Sequence, residues 1–146
     1  MRVLMALTDL RAAIAQIQTY MLTLTGMREA PTDAPEQPHV FPFAICAPAE
    51  GEWTGLQVAW KQGLQTVSLD IHVARKDLPR DIQKLADFED AVPNILIANP
   101  TLNGTVDTIV YPIRWRLVTF SWDQMGQVKT IGFRFLITVK METVVT

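Results

Sequence analysis

Apolar residues recur along this chain at two periods, one helical and one extended. Leu7, Leu10, Ile14, Ile17, Met21 and Leu24 follow one another at intervals of three and four, which places them on one stripe of a helix. Thr8 suits its N-cap, Asp9 its positive end, and Gly26 its stop. The stripe covers too few turns for a coiled coil. A second stripe, Leu78, Ile82, Leu85, Phe88 and Val92, predicts a helix capped by Asp77, with Pro79 tolerated in its first turn. Pro93 is expected to divide that helix from a last turn, Asn94 to Ala98.

The extended period dominates elsewhere. His39 to Ala47 puts Phe41, Phe43 and Ile45 on one face, and Pro42 on the opposite phase marks an edge or irregular strand. Trp53 to Lys61 is a second strand, with Leu56, Val58 and Trp60 in phase. Leu64 to Arg75 is the cleanest, with Val67, Leu69, Ile71 and Val73 alternating with Thr66, Ser68, Asp70 and His72. Gly63 between these two predicts a tight hairpin. A long hairpin, Thr105 to Val145, turns at Asp123-Gln124-Met125-Gly126. Its first strand has Ile109, Tyr111, Ile113, Trp115 and Leu117 in odd phase, then Val118, Phe120 and Trp122 in even phase. A strand changes face only by an extra residue, so a bulge or sharp coil is expected near Leu117 and Val118. The alternative is a tip buried on both sides, as in a hairpin inserted into a neighbouring subunit. The last strand keeps one phase through Ile131, Phe133, Phe135, Ile137, Val139 and Met141. At ~3.3 Å per residue each strand reaches ~40 Å, long enough to project beyond its own core.

The expectation is an α+β fold: a mainly antiparallel sheet of about five strands with a long C-terminal hairpin, packed against two helices. One domain over residues 1–146 accommodates it, with a Pro-rich arm or loop at 27–38 and the hairpin at 104–146. A chain of 146 residues buries enough surface to fold without a metal or disulfide. Charged residues make up only 19%, which favours an assembly subunit over a free monomer. The net charge of −2 supplies no basic excess to hold a duplex. Cys46 is the single cysteine, so no internal disulfide forms, and a reducing compartment is the natural setting. Asp9 and Arg11 interrupt the short apolar start too early for a signal peptide, and no membrane span is expected.

Candidate chemistry is thin. His72 lies in phase with Asp70, the pair a general base and its orienting carboxylate would need; a solvated strand face is the plainer reading. His39 sits at a loop-to-strand junction. Cys46, among Ala44, Ile45 and Ala47, reads as a buried thiol. Asp87, Glu89 and Asp90 lack the glycine and alternation of a calcium loop. No glycine-rich phosphate loop is present. The four tryptophans, 53, 60, 115 and 122, fall on different strands and phases and suit core or interface better than a carbohydrate platform. No catalytic, cofactor-binding or metal-binding residue is assigned, and an enzyme is not expected. Charge is unevenly spread. Asp77 to Asp90 holds five acids against Arg80 and Lys84, while Thr105 to Val145 holds five cations against three acids. Two solvated faces explain this. So does a head-to-tail contact in which one subunit's helix meets the next one's hairpin, with Asp77, Asp81, Asp87, Arg114, Arg116, Phe120, Trp122 and Arg134 as candidate interface residues.

The order of elements, with Asp77-Leu78-Pro79, Leu85-Ala86-Asp87-Phe88, Val92-Pro93-Asn94-Ile95-Leu96 and then Asn99-Pro100-Thr101-Leu102-Asn103-Gly104-Thr105-Val106-Asp107, resembles the tail terminator proteins of long-tailed bacteriophages. Small phage tail proteins of this kind often show "tLgGtv" before the hairpin; Asn103 replaces the first glycine here. The resemblance implies a structural virion protein without catalytic residues. It implies a homo-oligomer, a hexameric ring that caps the tail tube, stops its polymerisation and offers a surface to the neck. The implied partners are the tail tube protein and a neck or head-completion protein. DNA only passes through the lumen, no membrane is involved, and the ring is assembled in the host cytoplasm. A head–tail neck or tail-completion protein is the neighbouring alternative, and a small ligand-binding module or enzyme a further one.

Overall fold

A computed structural model describes residues 10–28, 30, 41–57, 60–74, 78–122 and 128–144. Its elements are α1 (Leu10–Leu22), β1 (Phe43–Gln57), β2 (Trp60–Ala74), α2 (Leu78–Ala98), β3 (Thr108–Trp122) and β4 (Val128–Val144). The strands form one antiparallel sheet in the order β1-β2-β4-β3. The class is α+β, but with four strands where about five were expected.

The miscount has a local cause. His39–Ala47 and Trp53–Lys61, expected as separate strands, are largely one: β1 runs through both. Ala49 is an extra residue between the pairs Pro48–Val67 and Glu50–Thr66. This bulge switches the phase mid-strand, and Pro48, lacking an N–H, sits where the ladder breaks. The turn falls between Gln57 and Trp60 rather than at Gly63, which lies within β2. Glycine is needed there because a Cβ would collide with the Glu52 carbonyl oxygen across the ladder.

Register assigns the faces. Ala44, Cys46, Val67, Leu69, Ile71, Val73, Ile109, Phe133, Phe135, Ile137, Val139 and Met141 share one side. Ala13, Ile17 and Met21 of α1 and Leu85, Phe88, Val92 and Leu96 of α2 complete one apolar cluster with them. α1 packs on β1; α2 packs on β2, β4 and, more sparsely, β3. The other sheet face carries no helix among the described residues.

α1 ends as its stripe predicts. Thr23 and Leu24 N–H donate to Tyr20 and Met21 carbonyls, tightening the last turn, and Gly26 then takes a left-handed φ of 89°. Thr8 and Asp9 lie outside the described residues. α2 does not divide at Pro93: it is helical through Ala98, with Val92 and Leu96 on either side of the proline both fully buried. Burial of the stripe outweighs the lost hydrogen bond. Beyond α2, Leu102, Asn103 and Gly104 are all left-handed (φ 47°, 58° and 81°). Leu102 is held there by full burial, by its N–H to Asn99 and by the Thr105 hydroxyl on its carbonyl at 2.8 Å. This turn launches β3.

β3 breaks its register earlier than expected. The shift lies between Val110 and Arg114, and from Arg114 to Trp122 the pairing with β4 is unbroken through Leu117 and Val118. Ile109 and Trp115 oppose Val139 and Phe135, so β3 spends two more residues than β4 over this stretch. Two extra residues preserve the odd phase on the helix side.

Candidate assembly surface

An edge strand presents unpaired N–H and C=O groups, and proteins usually blunt that edge with proline, bulges, lysine or a covering element. β1 and β3 are the two edges here. β1 uses several such devices. Pro42 precedes it through a cis peptide, Pro48 and the bulge interrupt it, and Gln18 of α1 donates Nε2 to the Ala44 carbonyl at 3.0 Å. Phe43 and Ala44 are fully buried. β3 is blunted over its first half, where Ile109 N–H donates to the Pro100 carbonyl at 2.9 Å, Pro112 follows a cis peptide and the register shifts before Arg114. From Arg114 to Trp122 its pairing is unbroken, it contains no proline, and Arg114 and Arg116 are its charges.

That stretch carries unmatched groups on both faces. On the helix side Trp115 and Leu117 stand opposite Phe135 and Phe133 but remain 47% and 52% exposed. The apolar floor continues under them, with Trp115 and Phe133 ring centroids 4.7 Å apart and Phe133 edge-on to Phe135. On the open side Arg114 and Arg116 are exposed. Arg116 faces Arg134 across the ladder. Arg134 is already neutralised, its Nε and a terminal nitrogen held by Asp70 at 2.8 and 3.0 Å, a bidentate pair that raises its pKa. Arg116 is therefore the surplus charge in its row. The β1 edge offers the opposite sign: Glu50 and Glu52 are exposed on the same open face. Among the described residues none of these four groups makes an ion pair.

The candidate interface residues separate into different places. Arg114, Arg116 and Arg134 lie together on the open sheet face. Asp87 is exposed on α2, beside a hollow of about 310 Å³ that Lys84 and Arg28 also line. Asp81 is buried, only 4% exposed, so it is not a surface charge. Asp77 and the side chains of Phe120 and Trp122 lie outside the described residues. The helix acids and the hairpin cations thus lie on different surfaces of the chain, as a head-to-tail contact between copies requires of its two halves. Sequence reasoning missed Glu50, Glu52 and the exposure of Trp115 and Leu117, because their phase alone reads as core. The signal available was Pro48, which marks the strand whose other half carries the acids.

His72 shares the open face with Asp70, as its phase requires, yet it is 1% exposed rather than solvated. Its Nδ1 lies 3.5 Å from the buried Thr130 hydroxyl. Burial lowers its pKa to about 4, against the opposing pull of Asp70, with Arg134 lowering it further. Cys46 is buried on the core side, as its neighbours suggested. Burial first, and then the Asp70 charge, push its thiol up to about 12, which keeps it protonated and unreactive. His39 lies outside the described residues. Among the described residues no three His, Cys, Asp or Glu side chains are grouped as metal ligands, and no helix is long and apolar enough to cross a membrane. No protein-family model matches the chain, and no curated protein matches it.

Proposed function

We propose that this chain is a structural virion protein, a tail terminator that assembles into a ring on the finished tail tube, stops its growth and presents a surface for the neck. It acts through surfaces, without catalysis. Its partners are copies of itself, the tube protein and a neck or head-completion protein at the tail–head junction, and DNA crosses the lumen without being held. The observation that carries the reading is the edge of β3: nine residues in register past its bulge, with Trp115 and Leu117 half-exposed on one face and, on the other, Arg114 and Arg116, which make no ion pair among the described residues. A strand of this kind is made to be covered. The turn before it adds support. Position 103, where the resembling proteins often carry glycine, has a left-handed φ of 58°, a backbone that glycine or asparagine adopts readily.

Electron microscopy of phage particles after suppression of this gene tests the proposal. Overlong tubes beside full, tailless heads are expected. Detached tails of normal length would move the protein to neck or completion, and intact particles would overturn a role in the virion.

A further inference from the structure

We infer that β3 of one copy pairs with the Glu50–Gly55 half of β1 in the next copy, with Glu52 opposite Arg116 and Trp53 opposite Trp115. The inference rests on the assembly reading above and names the surface that reading leaves open. Three independent features lead to it.

The first is direction. Each neighbouring pair in the order β1-β2-β4-β3 is antiparallel, so β1 and β3 of one copy run opposite ways. A copy placed alongside by rotation therefore sets its β1 antiparallel to this β3, and the sheet continues without a change of pattern. Such a contact is heterologous and propagates until it closes.

The second is charge. Two β3 edges placed together would gather arginines at 114 and 116 on one face, and two β1 edges would gather Glu50 and Glu52. Only β1 against β3 brings acid to base, and like charges across a ladder destabilise it.

The third is the register in which the two faces agree. Glu50 to Gly55 pairs with β2 without a shift, and so does Arg114 to Trp122 with β4. Placing Glu52 opposite Arg116 puts Glu50 and Arg114 on its diagonals, all on the open face. The same placement sets Trp53, 44% exposed on the helix side, directly across from Trp115, with Gly51 across from Leu117. Charge is also met two residues along, where Glu50 faces Arg116 and Glu52 faces Arg114, but that register sets Trp53 opposite Ile113; the Trp53–Trp115 contact is what selects the alignment proposed. Glu52 shares a row with Lys140 and Arg116 with Arg134, so neighbouring copies are offset by six residues, roughly 20 Å at ~3.3 Å per residue. A stagger is what closing a sheet into a barrel requires.

Charge exchange tests this directly. Arg114→Glu with Arg116→Glu in one chain, and Glu50→Arg with Glu52→Arg in another, are each expected to weaken self-association at least ~100-fold by light scattering after gel filtration. Mixed one to one, they should assemble as the wild type does, because every junction again joins acid to base. Recovery on mixing also shows that both variants are folded. A second chain, Glu52→Cys with Arg116→Cys, should give a ladder of oxidised multimers; buried Cys46 stays out of it. If the wild type assembles but the β1 variant alone assembles equally well, or mixing restores nothing and no ladder forms, this interface is overturned and the ring stands on another surface. A wild type that remains monomeric overturns the interface and the ring together.

Discussion

The two edges of the sheet differ in how they are finished. β1 is interrupted by Pro48 and its bulge, tied to α1 through Gln18, and sealed around Phe43 and His72. β3, once past its two-residue bulge, pairs without a break, and its Trp115 and Leu117 stay half-exposed on the helix side, where α2 reaches β3 only sparsely. One core therefore serves two purposes. Toward the Phe43–Pro48 half of β1 it is closed and supplies stability; toward β3 it is left open, and the proposed contact uses that opening.

Removing the shared floor should break the difference most severely. Phe135 is fully buried beneath both halves, so Phe135→Ala is expected to cost about 3–5 kcal/mol in urea unfolding, with the monomer itself compromised. Trp115→Ala removes a half-exposed ring of similar bulk and should cost the monomer under about 1.5 kcal/mol while abolishing association. Equal losses from the two would mean that Trp115 is core, and the open edge would have to be given up.

Much of this architecture is legible in the chain, for identifiable reasons. The stripes of α1 and α2 and the single phases of β2 and β4 are long, and each element sits where its period predicts, although Ile82 of the α2 stripe is 45% exposed. β1 is not, because Ala49 shifts its phase by one and makes one strand look like two. The β3 bulge escapes periodicity for the opposite reason: its two extra residues restore the phase, leaving only Pro112 as a trace. The site was harder still. Hydrophobicity alone does not separate Trp115 from Phe135, its cross-strand neighbour; that needs the knowledge that Phe135 lies on an inner strand and Trp115 on an edge strand.

The sealed side has its own test. His72 is neutral in the fold because burial lowers its pKa to about 4 from an ordinary 6.5. The unfolded chain takes up that proton first as pH falls. Its stabilising contribution is thus complete above pH 6.5 and is lost between 6.5 and about 4, amounting to about 3 kcal/mol if the full shift is realised. His72→Gln should flatten the pH dependence of the urea midpoint across that window. An unchanged slope would show that the region around Phe43 is not dry.

Lysine placed on each edge compares them at smaller cost. Leu117→Lys puts a charge on the unbroken stretch of β3 and should stop self-association, with monomer stability changed by within about 0.5 kcal/mol because the side chain is already half in water. Ala47→Lys lies on the tied half of β1, outside the Glu50–Gly55 segment, and should leave association as it is. Loss of assembly in both variants would place the contact along all of β1.

The smallest effect concerns the turn that aims β3. Leu102, Asn103 and Gly104 are all left-handed, and Ile109 and Asp107 N–H groups bond back to Pro100 and Lys140. The exposed Asn103 side chain has no packing role, so its backbone alone decides the outcome. Asn103→Gly removes a small steric cost in the fold and adds freedom to the unfolded chain, two terms that nearly cancel. The melting midpoint should move by no more than a shift of about 0.5 kcal/mol implies. Asn103→Val, which meets the same φ with a branched Cβ, should cost about 1–2 kcal/mol. Because the strain sits at the launch of β3, the valine variant should also weaken assembly more than its stability loss accounts for. Proportionate loss would mean that the edge aligns itself without the turn.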